Sequence, residues 1–140
     1  MIEHVWSVLC SMSSVDRESN NFSLFNVLQT LTLFAASEKD ELIVLPNEIV
    51  SLWTRSEEDQ PCKGKTRVTF CYPSGSKAKA NEVPIDLMDG LNYQIRIRSN
   101  GIKLPEGPGR YFFLVEYTED DVTWKTATKL PLLVKFNPDK

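Results

Sequence analysis

An antiparallel two-sheet β-sandwich of about eight strands is the fold class this sequence predicts. Three observations lead there. Apolar residues recur with a period of two, the runs that show this are short, and clusters of Gly, Pro, Asn, Asp and Ser separate them at regular intervals. No long stretch carries the capped 3.6-residue apolar period of an amphipathic helix.

In chain order, the first two strands form a long hairpin, His4 to Met12 and Phe22 to Phe34, around the turn-forming residues 13–21. A third runs from Ile49 to Arg55. A helix over Asn47 to Trp53 behind Pro46 is the competing reading, but the segment is short and carries Val50 and Trp53, which favours a strand. From Lys65 to Tyr72, Val68, Phe70 and Tyr72 oppose Lys65, Arg67 and Thr69, and a further strand spans Lys77 to Ile85. The clearest alternation is Leu91, Tyr93, Ile95 and Ile97 against Asn92, Gln94, Arg96 and Arg98, one face for a core and one for water. Tyr111 to Val115 is apolar on both faces. The last strand begins at Val122 and Trp124 and keeps register through Leu130, Leu132, Val134 and Phe136, with Pro131 requiring an edge position or a bulge. Turn residues fall between these runs, among them Glu38 to Glu41, Asn100-Gly101 and Glu119 to Asp121.

Two stretches carry a resemblance. One is the hairpin Val15 to Val27 followed by Leu45-Pro46 and the strand Ile49 to Trp53; the other is Leu104 to Val115 with a last strand ending Leu130 to Val134. Their order resembles a family of short, uncharacterised bacterial proteins, and that resemblance implies an immunoglobulin-like sandwich and no activity. Independently, Gly109 two residues before Tyr111 at the head of an apolar strand matches the tyrosine corner of Greek-key sandwiches, whose hydroxyl bonds upstream backbone.

Composition bounds the rest. A chain of 140 residues with 41% hydrophobic and 25% charged residues reads as one domain, 1–140, with one core. Its formal charge of −3, with both signs scattered, argues against a nucleic-acid partner. Lys63, Lys65 and Arg67 on one strand and Arg96 and Arg98 on another are read as solvated faces. The opening Met1 to Trp6 lacks a signal-peptide pattern, and no apolar run approaches the ~18 residues of a membrane span, so a cytoplasmic protein with no membrane partner is expected. Cys10, Cys62 and Cys71 have no metal or redox spacing and are read as free thiols, and no cofactor is expected.

Catalytic chemistry has little to stand on. His4 is the one histidine, with no nucleophile or carboxylate constellation in sequence beside it. The acidic groups Glu38/Asp40/Glu41, Glu57/Glu58/Asp59 and Glu119/Asp120/Asp121 read as solvated turns. The better use of loop oxygens is calcium. Asp16, Glu18 and Asn20 give a D-x-E-x-N spacing, with Asp120 and Asp121 as partners if topology brings the loops together. The large aromatics Trp6, Trp53, Trp124, Phe113 and Tyr117 are assigned to the core. Phe112 and Leu114, on the second face of an already apolar strand, mark either a strand covered on both sides or an interaction face. The function expected is therefore a non-catalytic module that binds a protein partner or itself by a sheet edge or apolar face, with a small-ligand or calcium binder as the alternative.

Overall fold

The computed structural model describes residues 1–33 and 42–137. Among them lie nine strands and no helix: β1 (Ile2–Val15), β2 (Phe22–Val27), β3 (Thr30–Leu33), β4 (Leu42–Arg55), β5 (Cys62–Cys71), β6 (Asn81–Leu87), β7 (Asn92–Lys103), β8 (Gly109–Thr118) and β9 (Lys125–Phe136). They form a four-stranded sheet in the order β2-β1-β4-β7 and a five-stranded sheet in the order β3-β9-β8-β5-β6. The Glu38 to Glu41 turn and its acidic residues, with Phe34, lie outside the described residues.

One core joins the two sheets. Ile49, Trp53 and Ile95 of the four-stranded sheet meet Val68, Phe113, Val115, Leu132 and Val134 of the other. These positions share one face of their strands because side chains alternate with period two: Tyr111, Phe113 and Val115 are buried on β8, and on β7 Ile95 is buried with Tyr93 and Ile97 half-buried, whereas Leu91, expected on the same face, precedes β7 and is exposed. Trp53 is fully buried and donates its indole N–H to Ser51 Oγ at 2.9 Å, so the largest core side chain leaves no orphan donor.

The all-antiparallel expectation needs correction. β3 pairs with β9 in parallel, Thr30 opposite Leu133 through Leu33 opposite Phe136, so the five-stranded sheet is mixed. The continuous run expected over Phe22 to Phe34 is in fact two strands, and the chain changes sheets between them. The Leu28 amide donates to Leu9 of the four-stranded sheet at 2.8 Å, and the next carbonyl, that of Gln29, accepts from Leu133 of the five-stranded sheet at 2.9 Å. A strand delivered this way across the core arrives in the direction β2 was already travelling, which sets it parallel to β9.

Three boundaries also move. β4 begins well before Ile49, its pairing with β7 broken between Val44 and Asn47, where Pro46 withholds a backbone donor. The run Lys77 to Ile85 contributes only a bridge at Lys77 before β6 starts at Asn81. Val122 and Trp124 precede β9 instead of opening it, because Asp120 Oδ1 captures the amides of Val122 and Thr123 at 2.9 and 2.7 Å and holds them in a turn. Trp124 accordingly leaves the core and lies under the Arg67 guanidinium, 4.0 Å from the ring centroid. Pro131 sits on the stretch of β9 that β3 does not reach.

The hairpin of β1 and β2 curls. Its tip folds back over the outer face of the four-stranded sheet, where Phe22 meets Trp6 edge-on at 5.7 Å and the Asn20 carbonyl accepts from Gln94 Nε2 at 2.6 Å. Val50 and Cys10 point away from the main core by alternation, and yet both have 0% exposure. At the opposite corner the Tyr111 hydroxyl donates to the Gly107 carbonyl at 2.8 Å and accepts the Glu106 amide at 3.2 Å. This is the upstream backbone bonding of a tyrosine corner. Gly107 adopts φ 68° and Gly109 φ 153° in the loop that makes it.

Candidate functional site

The two sheets do not close along the seam where β7 faces the β5–β6 corner. β5 carries Val68 and Phe70 inward, Tyr72 follows it, β8 adds Phe113, and β4 and β7 add Ile49, Ile97 and Ile102 from the opposing sheet. Between them lies a cleft of about 250 Å³. Its aromatic wall is ordered: Phe70 stacks on Phe113 at 4.5 Å and on Tyr111 at 5.2 Å, and meets Tyr72 edge-on at 5.7 Å. The rim is polar, with Asn47, Asn81 and Ser99, and its charged members are Lys79 and Lys103. An apolar floor with a few polar groups at the mouth suits an apolar side chain or ring.

Beside the mouth runs the flank of β7, which is paired with β4 on one side and with no strand on the other among the described residues. The direction of its backbone groups follows from the ladder. The Arg55 amide donates to the Leu91 carbonyl at 3.3 Å, so Arg55 and Leu91 form a hydrogen-bonded pair. Alternation from there turns Tyr93, Ile95 and Ile97 toward β4 and leaves the amides and carbonyls of Gln94, Arg96 and Arg98 on the open flank. The side chains of Arg96 and Arg98 lie on the outer face of the sheet. Both approach Glu48, whose side chain is 6% exposed: Arg98 Nε at 2.6 Å and Arg96 Nε at 3.8 Å. One buried carboxylate thus fixes the Arg98 guanidinium by a hydrogen bond and lies at ion-pair distance from Arg96, whose Nε has no hydrogen-bond partner, so the two arginines retain a net positive charge.

The calcium candidates are differently placed. Asp16 Oδ1 accepts the Glu18 amide at 2.9 Å, and that bond holds its carboxyl below the usual carboxylate range. Glu18 is exposed in the same turn, and Asn20 adopts φ 62° with its carbonyl bound to Gln94. Asp120 is occupied by the Thr123 and Val122 amides and the Thr118 hydroxyl, which bring its pKa down to about 2. Asp121 pairs with Lys65 at 3.1 Å, and Glu119 Oε1 accepts the Ile2 amide at 2.8 Å. The Asp16 turn lies over the outer face of the four-stranded sheet and the Asp120 turn beside Ile2 and Lys65. Among the described residues no three His, Cys, Asp or Glu side chains gather as a metal site would require.

Phe112 and Leu114 lie half-buried on the outer face of the five-stranded sheet. Lys129 Nζ stands 5.0 Å over the Phe112 ring, and a shallow hollow of about 430 Å³ bounded by Gln29, Arg110, Phe112, Pro131 and Leu133 opens beside it. This hollow rests on one sheet, whereas the seam cleft has walls from both and a free strand edge at its lip. Of the basic positions, Arg67 is paired with Glu116 at 2.8 Å and Lys65 with Asp121 at 3.1 Å, whereas Arg96 and Arg98 share the single carboxylate of Glu48. All three cysteines are free thiols, and burial pushes the thiols of Cys10 and Cys71 up, which keeps them protonated and unreactive. No helix among the described residues is long and apolar enough to cross a membrane.

The cleft residues Asn47, Lys79, Asn81 and Lys103 have no signature in the sequence, since they come from three separate segments, Lys79 and Asn81 from one of them, and meet only once the sheets are packed. No family model matches the chain, and no curated protein matches it either. Function is therefore read from the site.

Proposed function

We propose that this protein is a non-catalytic binding module on an immunoglobulin-like frame. It takes up an extended segment of a partner protein as an added strand along β7. The observation that carries this is the coincidence of an unpaired strand edge with the mouth of an apolar cleft. Strand addition supplies main-chain hydrogen bonds for affinity, and a pocket for alternate side chains supplies selectivity. Here the free groups of Gln94, Arg96 and Arg98 serve the first role, and the Phe70, Phe113 and Ile97 walls the second. The tyrosine corner at Tyr111 supports the immunoglobulin-like assignment of the frame.

The test is selection of extended peptides on the immobilised protein, followed by amide chemical-shift mapping of the best binders. Shifts concentrated on Gln94 to Ser99 and on the cleft are expected. N-methylation of peptide amides on one alternate set, which removes donors without touching the protein, is expected to abolish binding. Peptides that bind with shifts confined to the Phe112 and Leu114 face, or that tolerate every N-methyl group, would overturn the reading.

A further inference from the structure

We infer that the segment β7 takes up carries an acidic–apolar–acidic pattern, with the two acids opposite Arg96 and Arg98 and the apolar side chain opposite Ile97. This rests on the strand-addition reading above and goes further in naming the chemistry of the partner. In an antiparallel ladder, residues directly opposite each other project from the same face. Ile97 faces inward and lines the cleft, so the residue opposite it enters the cleft, where the lining is aromatic and aliphatic. Its two neighbours must then project outward, each beside an arginine.

Charge decides what those neighbours are. Arg98 is pre-positioned by its hydrogen bond to Glu48 and still has a side-chain exposure of 61%, so it can bind a second carboxylate without rearranging the first, while Arg96 beside it keeps an Nε donor without a hydrogen-bond partner. The charged groups lining the cleft itself are both cationic, Lys79 and Lys103. Opposite charges directly across a ladder stabilise pairing, and like charges oppose it. The same rule excludes pairing of β7 with the β7 of a second copy when the two arginine pairs stand opposite each other. β6 of a second copy offers Glu82 and Asp86 but carries Pro84 between them, which lacks a backbone donor.

The experiment compares short capped peptides centred on Glu-Phe-Glu, Gln-Phe-Gln, Lys-Phe-Lys and Glu-Ser-Glu by calorimetry at low and high salt. Binding strongest for Glu-Phe-Glu is expected, about tenfold weaker for Gln-Phe-Gln, and weaker again for Lys-Phe-Lys, with the differences shrinking at high salt. Glu-Ser-Glu is expected to lose the apolar contribution at any salt. Arg98→Gln, checked for folding by its melting curve, is expected to erase most of the preference for Glu over Gln. Equal binding of the Glu and Lys peptides would overturn the acidic pattern while leaving strand addition standing. Binding by none of them would overturn strand addition itself, and so would a concentration-dependent dimer with which no peptide competes, since it would show β7 occupied by a second copy.

Discussion

Replacing Tyr111 by Phe isolates the corner from the core. The ring stays, stacked on Phe70 at 5.2 Å, so no cavity opens and the apolar burial is unchanged. What goes is the hydroxyl, and with it a bond donated to the Gly107 carbonyl and one accepted from the Glu106 amide. Each such bond is worth about 1 kcal/mol net, so a loss of about 2 kcal/mol is expected. With a urea slope of roughly 1.5 kcal/mol per molar for a chain of this size, the unfolding midpoint falls by about 1.3 M at constant slope. Equilibrium urea unfolding followed by tryptophan fluorescence measures both quantities, Trp53 reporting on the core. A midpoint unchanged within error would refute the claim that the corner stabilises the loop. A changed slope would show that the substitution altered the denatured state instead.

Other substitutions probe different parts of the frame. Gly64 faces Ile85 across β5 and β6, and a Cβ there would strike the Thr118 carbonyl and lie 2.7 Å from Ile2 Cδ1, so Gly64→Ala should cost about 2 kcal/mol or more, read as a lower melting temperature. Ser51→Ala orphans the buried Trp53 indole N–H and should cost about 2 kcal/mol, with a changed near-ultraviolet dichroism. His4 packs edge-on against Trp53 at 4.9 Å, and burial lowers its pKa from 6.5. The unfolded chain therefore takes up the proton first as pH falls. The stability due to neutral His4 is complete above about pH 6.5 and is lost on the acid side, a dependence that His4→Gln should flatten in melting curves between neutral and mildly acid pH.

Much of this architecture was legible because alternation is a local signal. Ile95 and Ile97 identify the inner face of β7, Val68 and Phe70 that of β5, and Gly109 with Tyr111 identifies the corner. The parallel pairing of β3 was not legible, since period two is the same whichever way a neighbour runs. Nor was the break at Leu28-Gln29, where both flanking halves are β-rich and the change of sheet depends on partners at Leu9 and Leu133. Trp124 misled for a related reason: its alternation with Val122 is genuine in sequence, but Asp120 outcompetes the ladder for the local amides. The cleft was invisible because no segment contains it. The edge that serves it was visible only as the polar alternation of Arg96 and Arg98, which a solvated face would show equally well.

The pairing of β3 with β9 bears on how the chain acquires its structure in time. Thr30 leaves the ribosome well before its partner Leu133, which follows only after the whole intervening chain has been made. Until then the apolar side chains of Leu31 and Leu33 have no finished sheet to join. Contacts so distant in sequence slow folding, because a long loop must be ordered before the contact rewards it. β1, β2, β4 and β7 need no such delay, and the four-stranded sheet can assemble while β9 is still being synthesised. Completion of the five-stranded sheet, with β3 as its last edge, is then the late event of biogenesis and the period when β9 stands most open to pairing with a neighbouring nascent chain.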